Sequence, residues 1–237
     1  MADYKKPDHW QLKARKEGYP ARSVYKLMEI DEKFSLFNSR AAVKVLDIGA
    51  APGSWSLYVL RKFNAHKKGF LAAADLLPLS REFDNDARNR VSVNRESVNR
   101  GSVNHDAAKS DSLNQSLFEG GNFFFIQGDV TTEPVRQALL SKGPYNVIIS
   151  DAAPNTTGNH MIDAARSHEL VETVISYAQT ALVPGGNLAV KIFQGSGTDE
   201  ILKRLKGLFK TAKSFKPAAC RGESVETYFA GLGFINK

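Results

Sequence analysis

The chain has 237 residues, 42% hydrophobic and 10% aromatic, which is enough for one large α/β domain with a real core. Thirty-two Lys and Arg against 25 Asp and Glu leave a net charge of +7, which suits an anionic partner without requiring one. The one cysteine, Cys220, excludes an intrachain disulfide and a cysteine-cluster metal site. No apolar run of about 18 residues offers a membrane span, and the start, MADYKKPDHW, lacks a signal-peptide core, so a soluble and most simply cytoplasmic protein is expected.

After Pro20, ARSVYKLMEIDEKFSLF spaces Val24, Leu27, Met28, Ile30 and Phe34 as a helix would. AVKVLDIG reads as the first strand, and SWSLYVLRKF as a helix opening directly from the turn GAAPGS. GFLAAADLLP is a second strand ending at Asp75, NFFFIQGDV a third ending at Asp129, and YNVIISDAAPN a fourth ending at Asp151. HELVETVISYAQTALVPGG reads as an amphipathic helix closed by Pro184-Gly185-Gly186. NLAVKIF is a fifth strand ending near Lys191, followed by a helix over DEILKRLKGLF and final strands in AKSFKP and ETYFAGLGF. Nearly all-apolar strands alternating with helices predict a mostly parallel seven-stranded sheet covered on both faces. Ligands of such sheets bind beyond the carboxyl ends of the strands. Asp47, Asp75, Asp129, Asp151 and Lys191 all lie at or near those ends.

Residues 80–122 break the pattern. They contain SVNRESVNRGSVNHD, a five-residue unit repeated three times, with few large apolar side chains. Such a segment does not offset the entropy of ordering itself, and three short copies bury nothing as a solenoid would. A mobile, low-complexity surface insert is expected there.

The turn after the first strand has Gly49 and Gly53 with Pro52 between them, and the dinucleotide fingerprint G-x-G-x-x-G is absent. Ala51 stands where the second fingerprint glycine would admit a pyrophosphate, and Pro52 removes a backbone donor. The turn therefore suits a nucleoside ligand without a diphosphate, such as S-adenosylmethionine (AdoMet), and speaks against an NAD-dependent oxidoreductase. A plain strand–turn–helix connection would use the same glycines. Asp75 is placed to accept from ribose hydroxyls. Asp47 is expected to organise the turn locally rather than touch a ligand. Asp151, leaving an apolar strand, needs a partner or a cleft. Lys191, at the end of another, either extends its head to solvent or gives up its proton among other charges and serves as a base.

In order, RSVYKLMEI, LDIGAAPGSWS, AADLLP, QGDV, SDAAPN, VKIFQG and ETYFAGLG resemble the FtsJ-type family of AdoMet-dependent ribose 2′-O-methyltransferases across essentially the whole chain except the insert. The resemblance implies a Rossmann-like methyltransferase fold and a Lys-Asp-Lys-Glu tetrad. Motif by motif, these are Lys26 in VYKL, Asp151 in SDAAPN, Lys191 in VKIF and Glu226 in ETYF. Glu223 is a rival for the acid, but Glu226 directly precedes the Thr-Tyr-Phe strand. Cofactor contacts carry over to Gly53, Trp55, Asp75, Asp129 and Asp151, and no metal is implied. In the reaction a ribose hydroxyl attacks the sulfonium methyl and sheds its proton. Burial and the Lys26 cation favour a neutral Lys191 for that task, while Asp151 and Glu226 oppose it.

The implied substrate is a uridine ribose in 23S ribosomal RNA, free or in the large ribosomal subunit, and a monomer is expected. Transfer RNA, a messenger RNA cap, or a catalytically silent RNA-binding role are the alternatives. Residues 201–222 hold seven Lys or Arg and no Asp or Glu, and the N-terminal segment adds Lys5, Lys6, Lys13, Arg15, Lys16 and Arg22. Flanking the site from both chain ends, these runs suit a groove for a phosphate backbone. One methyltransferase domain over 1–237 is expected, with a basic helical segment over 1–40 contributing to RNA binding.

Overall fold

Five strands with almost no polar residue fit only in the middle of a sheet covered on both faces. In this computed structural model, which describes residues 8–37, 42–66, 69–83, 117–120 and 122–235, they occupy that place. β1 (Val43–Ile48), β2 (Gly69–Asp75), β4 (Phe123–Gln127), β5 (Tyr145–Ser150) and β6 (Leu182–Phe193) run parallel, side by side as β4-β2-β1-β5-β6. Beyond β6 the sheet turns antiparallel, with β8 (Glu226–Phe234) between β6 and the edge strand β7 (Phe209–Phe215). All seven expected strands are present.

An eighth strand, β3 (Leu117–Gly120), adds antiparallel to β4 at the opposite edge. It lies inside the stretch read from sequence as an insert. Phe83, in the same stretch, is buried with its ring 5.2 Å from that of Phe123. The insert is therefore narrower than 80–122 at both ends, because Phe83 and β3 belong to the domain. The SVN repeat falls outside the described residues.

Period-two alternation divides the core into two layers. Val45, Leu71, Ala73, Val147 and Ile149 face α2 (Val24–Phe34) and α3 (Ser54–His66), with Ala14 of α1 (His9–Lys16) joining this layer. Leu46, Ile48, Ile148 and Leu188 face α4 (Glu133–Leu140), α5 (His160–Ala181) and α6 (Thr198–Leu208) on the other side. The helices α1 and α2 account for the described part of the expected basic N-terminal segment, and Asp8 opens α1 in a reciprocal capping pair with Gln11. Helix α5 starts at His160, well before the expected His168, because the Asn159 side chain accepts from the N–H groups of Met161 and Ile162. Its end at Ala181 comes earlier too. Residues 182–186 belong to β6, with a register shift opposite Tyr145 and Val147.

Candidate active site

β1 ends at Ile48, and the chain turns away at Gly49 with φ of 78°. A Cβ at Gly49 would lie 2.6 Å from that of Ala152, so only glycine allows this turn to pack against the exit of β5. Gly49 and Ala50 donate N–H bonds to the Ala74 carbonyl at 2.9 and 3.1 Å. Asp75 then binds the turn to the exit of β2, accepting from Ala51 N at 2.9 Å and from Leu77 N at 2.8 Å. Between these segments lies a cavity of about 390 Å³, within the range of small-molecule and cofactor sites. Gly49, Ala51 and Pro52 form part of its lining, Leu76, Leu77, Val130 and Leu170 supply apolar surface, and Asp75, Asp129 and Asp151 supply carboxylates. Leu76 and Leu77 each remain 65% exposed beside it, apolar surface suited to the face of a flat ligand. Asp129 is held by Thr131, whose N–H and hydroxyl donate at 2.9 and 2.7 Å.

Gly53 and Trp55, assigned to the cofactor from sequence, do not line this cavity. Gly53, with φ of 108°, instead admits the Phe83 ring, which a Cβ would meet at 2.7 Å. Trp55 is buried between α3 and α2, its Nε1–H donating to the Ser23 carbonyl at 2.8 Å. The helix that starts at Ser54 turns this indole into the core. Asp47 is also fully buried. Its Oδ2 accepts from the Ser56 hydroxyl at 2.7 Å, while Oδ1 has no hydrogen-bond partner among the described residues. Burial pushes its carboxyl up to about 7; the Ser56 hydrogen bond opposes this, and Asp151 and Asp75 add to it. Its local role thus takes the form of a tie from β1 to α3 rather than a hold on the turn backbone.

The second half of the site follows from the change of direction at β8. Because β8 is antiparallel to β6, its first residues lie beside the last residues of β6, pairing Lys191 with Tyr228 and Phe193 with Glu226. Lys191 Nζ lies 3.2 Å from Asp151 Oδ1, and the Tyr228 hydroxyl donates to the same oxygen at 2.7 Å. Lys26, from α2, pairs with Glu226 at 2.6 Å and sits 6.0 Å from the centre of the Tyr228 ring. Both lysines are buried, which is tolerable only because each has a carboxylate partner. The four residues Lys26, Asp151, Lys191 and Glu226 are thus gathered around one tyrosine. Asp151 belongs to both halves, lining the cavity and holding Lys191.

Tyr228 was missed in the sequence. Its signal was a phenol in a strand that turns apolar after it, two residues from Glu226 and so on the same face, where a buried phenol requires an acceptor. Burial and the nearby Asp151 and Glu226 carboxylates hold that phenol well above its usual range, so it stays protonated and donates. Among the described residues no three His, Cys, Asp or Glu side chains converge as metal ligands would, and no helix is long and apolar enough to cross a membrane.

A doubly wound sheet with a nucleoside-sized cavity over β1 and β2, and a lysine–acid cluster beyond β6, defines a Rossmann-like methyltransferase. Residues 19–234 match the FtsJ-like methyltransferase family, and the chain belongs to it. It is 44% identical over 231 residues to the ribosomal RNA large subunit methyltransferase E of Treponema denticola, covering 98% of this chain and 96% of that protein. It is 39% identical to the protein of the same name from Nitratidesulfovibrio vulgaris, covering 96% and 94%. Among solved structures, a putative ribosomal RNA methyltransferase from Plasmodium falciparum superimposes with a TM-score of 0.65 at 23% identity, covering 92% of this chain and all of that one. Human methyltransferase-like protein 13, solved in complex with SAH, shares the fold at a TM-score of 0.50 and 15% identity, covering 98% and 85%.

Proposed function

We propose that this protein transfers a methyl group from AdoMet to the 2′-hydroxyl of a uridine ribose in 23S ribosomal RNA. The observation that carries the reading is the double duty of Asp151, which borders the cofactor cavity and pairs with Lys191 at 3.2 Å. A methyl donor in the cavity and a hydroxyl at the lysine would then be neighbours. The names of the relatives supply the ribosomal substrate, which puts the reaction in the cytoplasm.

The cavity fits the cofactor on its own terms. Its length of apolar wall at Leu76 and Leu77 suits an adenine face, Asp75 retains lone pairs for ribose hydroxyls, and Asp129 retains Oδ2 for the base edge. The carboxylates of Asp75, Asp129 and Asp151 suit a ligand with a net positive charge. When bound, AdoMet supplies an electrophilic methyl on a sulfonium. Lys191 is assigned to the acceptor hydroxyl, whose proton its amine would take. Asp151 steadies the ammonium that results, and Tyr228 fixes the Asp151 oxygen that does so. Lys26, held by Glu226, contacts the ribose from the side of α2.

The basic runs support an RNA partner, since α2 and the β7–β8 loop meet directly: Glu29 accepts N–H bonds from Ala218 and Ala219. The test is to map 2′-O-methyl groups on ribosomal RNA from cells lacking the protein. One missing 2′-O-methyluridine in 23S RNA, restored by purified protein and AdoMet, is expected. An unchanged 23S map together with a methyl lost from transfer RNA would overturn the substrate.

A further inference from the structure

Among the described residues, the large apolar side chains left exposed are Leu12, Leu76, Leu77, Met161 and Ile162. Leu76 and Leu77 belong to the cofactor cavity. Met161, 81% exposed, and Ile162, 45% exposed, are adjacent in the first turn of α5 and do not line it. They stand on a tied support. The buried Asp163 carboxylate accepts from Thr157 N at 2.7 Å, the Thr157 hydroxyl at 2.9 Å and Gly158 N at 3.2 Å. Asn159 caps the helix by accepting from Met161 N and Ile162 N. Two neighbouring apolar side chains presented to water from so well-tied a turn favour a partner.

The head of α5 stands beside the acceptor half of the site. Phe193 N, at the end of β6, donates to Ser167 Oγ at 3.0 Å, and His168 Nε2 lies 3.3 Å from the Phe193 carbonyl oxygen. A Cβ at Gly195 would meet that of Ala164 at 2.5 Å. Lys191 is two residues before Phe193, so the start of α5 and the acceptor lysine share one end of β6. Lys26 comes from α2, which packs on the opposite face of the sheet. Along α5, Ile162, Arg166 and Leu170 follow at four-residue spacing and form one stripe. Leu170 lines the cavity, so the stripe runs about 12 Å outward from the cavity wall to Ile162. The acceptor hydroxyl thus has a cation on the α2 side and an apolar pair on the α5 side.

We propose that Met161 and Ile162 form a docking surface for an unpaired base of the acceptor RNA strand. The inference rests on the reading of the protein as an RNA methyltransferase. A single RNA strand has a charged sugar–phosphate edge and apolar base faces. Laid across the sheet end, it would set its phosphates toward α2 and its bases toward α5. Ile and Met are among the side chains that wedge between stacked bases and part them. The size of the pair also argues for a base, since a protein partner would need about 800 Å² on each side.

Met161→Gln with Ile162→Gln removes the apolar surface and keeps side-chain length and helix propensity. In filter binding, affinity for 23S ribosomal RNA should fall about tenfold. The slope of log affinity against log salt should stay at the wild-type value, because no phosphate contact is lost. AdoMet affinity should hold, since neither residue lines the cavity. Met161→Phe alone, which offers a base a stacking face, should bind the RNA at least as tightly as wild type. RNA affinity within about twofold of wild type in the double variant overturns the docking surface. So does a loss that comes with a shallower salt slope, or a Phe variant as weak as the double one. A wild-type dimer in sedimentation that the double variant dissolves would assign the pair to a second copy of this chain and overturn it too. Wild-type protein that transfers no methyl to 23S RNA instead refutes the substrate reading, and this inference with it.

Discussion

The two halves of the site are built by different means. In the cofactor half Asp75 and Asp129 leave the strands that precede them and are each held by a residue two positions on, Leu77 and Thr131, with the facing turn adding Ala51 to Asp75. In the acceptor half, Lys26 comes from α2, Lys191 from β6 and Glu226 from β8, and only the antiparallel return of β8 unites them. Several carboxylates and backbone amides share the work of holding a ligand, so a single loss there should weaken binding by degrees. One group per task serves the hydroxyl, so a single loss there should stop the reaction.

Lys191→Ala should separate the halves most sharply. Loss of a general base typically lowers the rate by about 10² to 10⁴, while AdoMet affinity should be kept because Lys191 is not part of the cavity lining. Lys191→Arg should fail as well, since a guanidinium always keeps its proton. Single-turnover transfer from labelled AdoMet, with calorimetry in parallel, measures both quantities. Near-wild-type transfer by Lys191→Arg would exclude Lys191 as the base and leave it an orienting charge.

Asp47 sits between the halves and tests whether the sheet end carries latent charge. Folding holds its proton up to about 7, against about 3.9 in an unfolded chain. Between those values the folded state binds more protons, so this residue's contribution is fully present below the lower value and is lost as pH rises through the upper one. Asp47→Asn carries no such proton. Relative to wild type it should gain stability from pH 5 to pH 8, by at most roughly 3 kcal/mol, about 1.4 kcal/mol for each of the two pH units below the upper value. Urea melts at the two pH values decide it, and parallel pH slopes for the two proteins would refute it.

Gly49→Ala probes the cofactor half alone. The added methyl meets Ala152 at 2.6 Å in a backbone with φ of 78°, and a loss of about 1–3 kcal/mol is expected. Gly185→Ala is the control, since Gly185 has φ of 80° but nothing within 4 Å, so it isolates backbone strain from collision. Gly49→Ala should lower both melting temperature and AdoMet affinity, and Gly185→Ala only the first. Equal AdoMet affinities in the two variants would show that the turn does not shape the cavity.

The same contrast explains what could be read from the sequence. Apolar runs closed by acids located β1, β2, β4 and β5 and the residues of the cofactor half, because strand, turn and acid are contiguous there. The acceptor half carries no local pattern joining residues 26, 191 and 226, and a family resemblance alone connected them. That the Trp55 indole enters the core was not legible, because the carbonyl it donates to belongs to Ser23, 32 residues earlier. The helix α4 was not read from the sequence, although Glu133-Pro134 after Thr132 marks its start, since proline suits a first helical turn. β3 gave no such sign: four residues next to a low-complexity tract have too short an alternation to register.

That short strand yields the smallest expected effect and the finest division of the chain. Removing residues 85–115 takes out the SVN repeat and spares both Phe83, buried in the core, and β3. No residue of either half of the site is lost, so transfer within about twofold of wild type is expected, as for surface changes away from packed features. Extending the deletion to residue 119 removes most of β3 as well. β4 then becomes the edge of the sheet, and its Phe123, Phe124, Phe125 and Ile126, all buried, lie along an unpaired row of backbone donors and acceptors. Such an edge recruits other chains. The longer deletion should therefore aggregate on heating while its soluble fraction still transfers methyl groups, whereas the shorter one should melt as a monomer. Light scattering during a thermal ramp distinguishes the two. Identical scattering from both deletions would mean that β3 does not guard the edge.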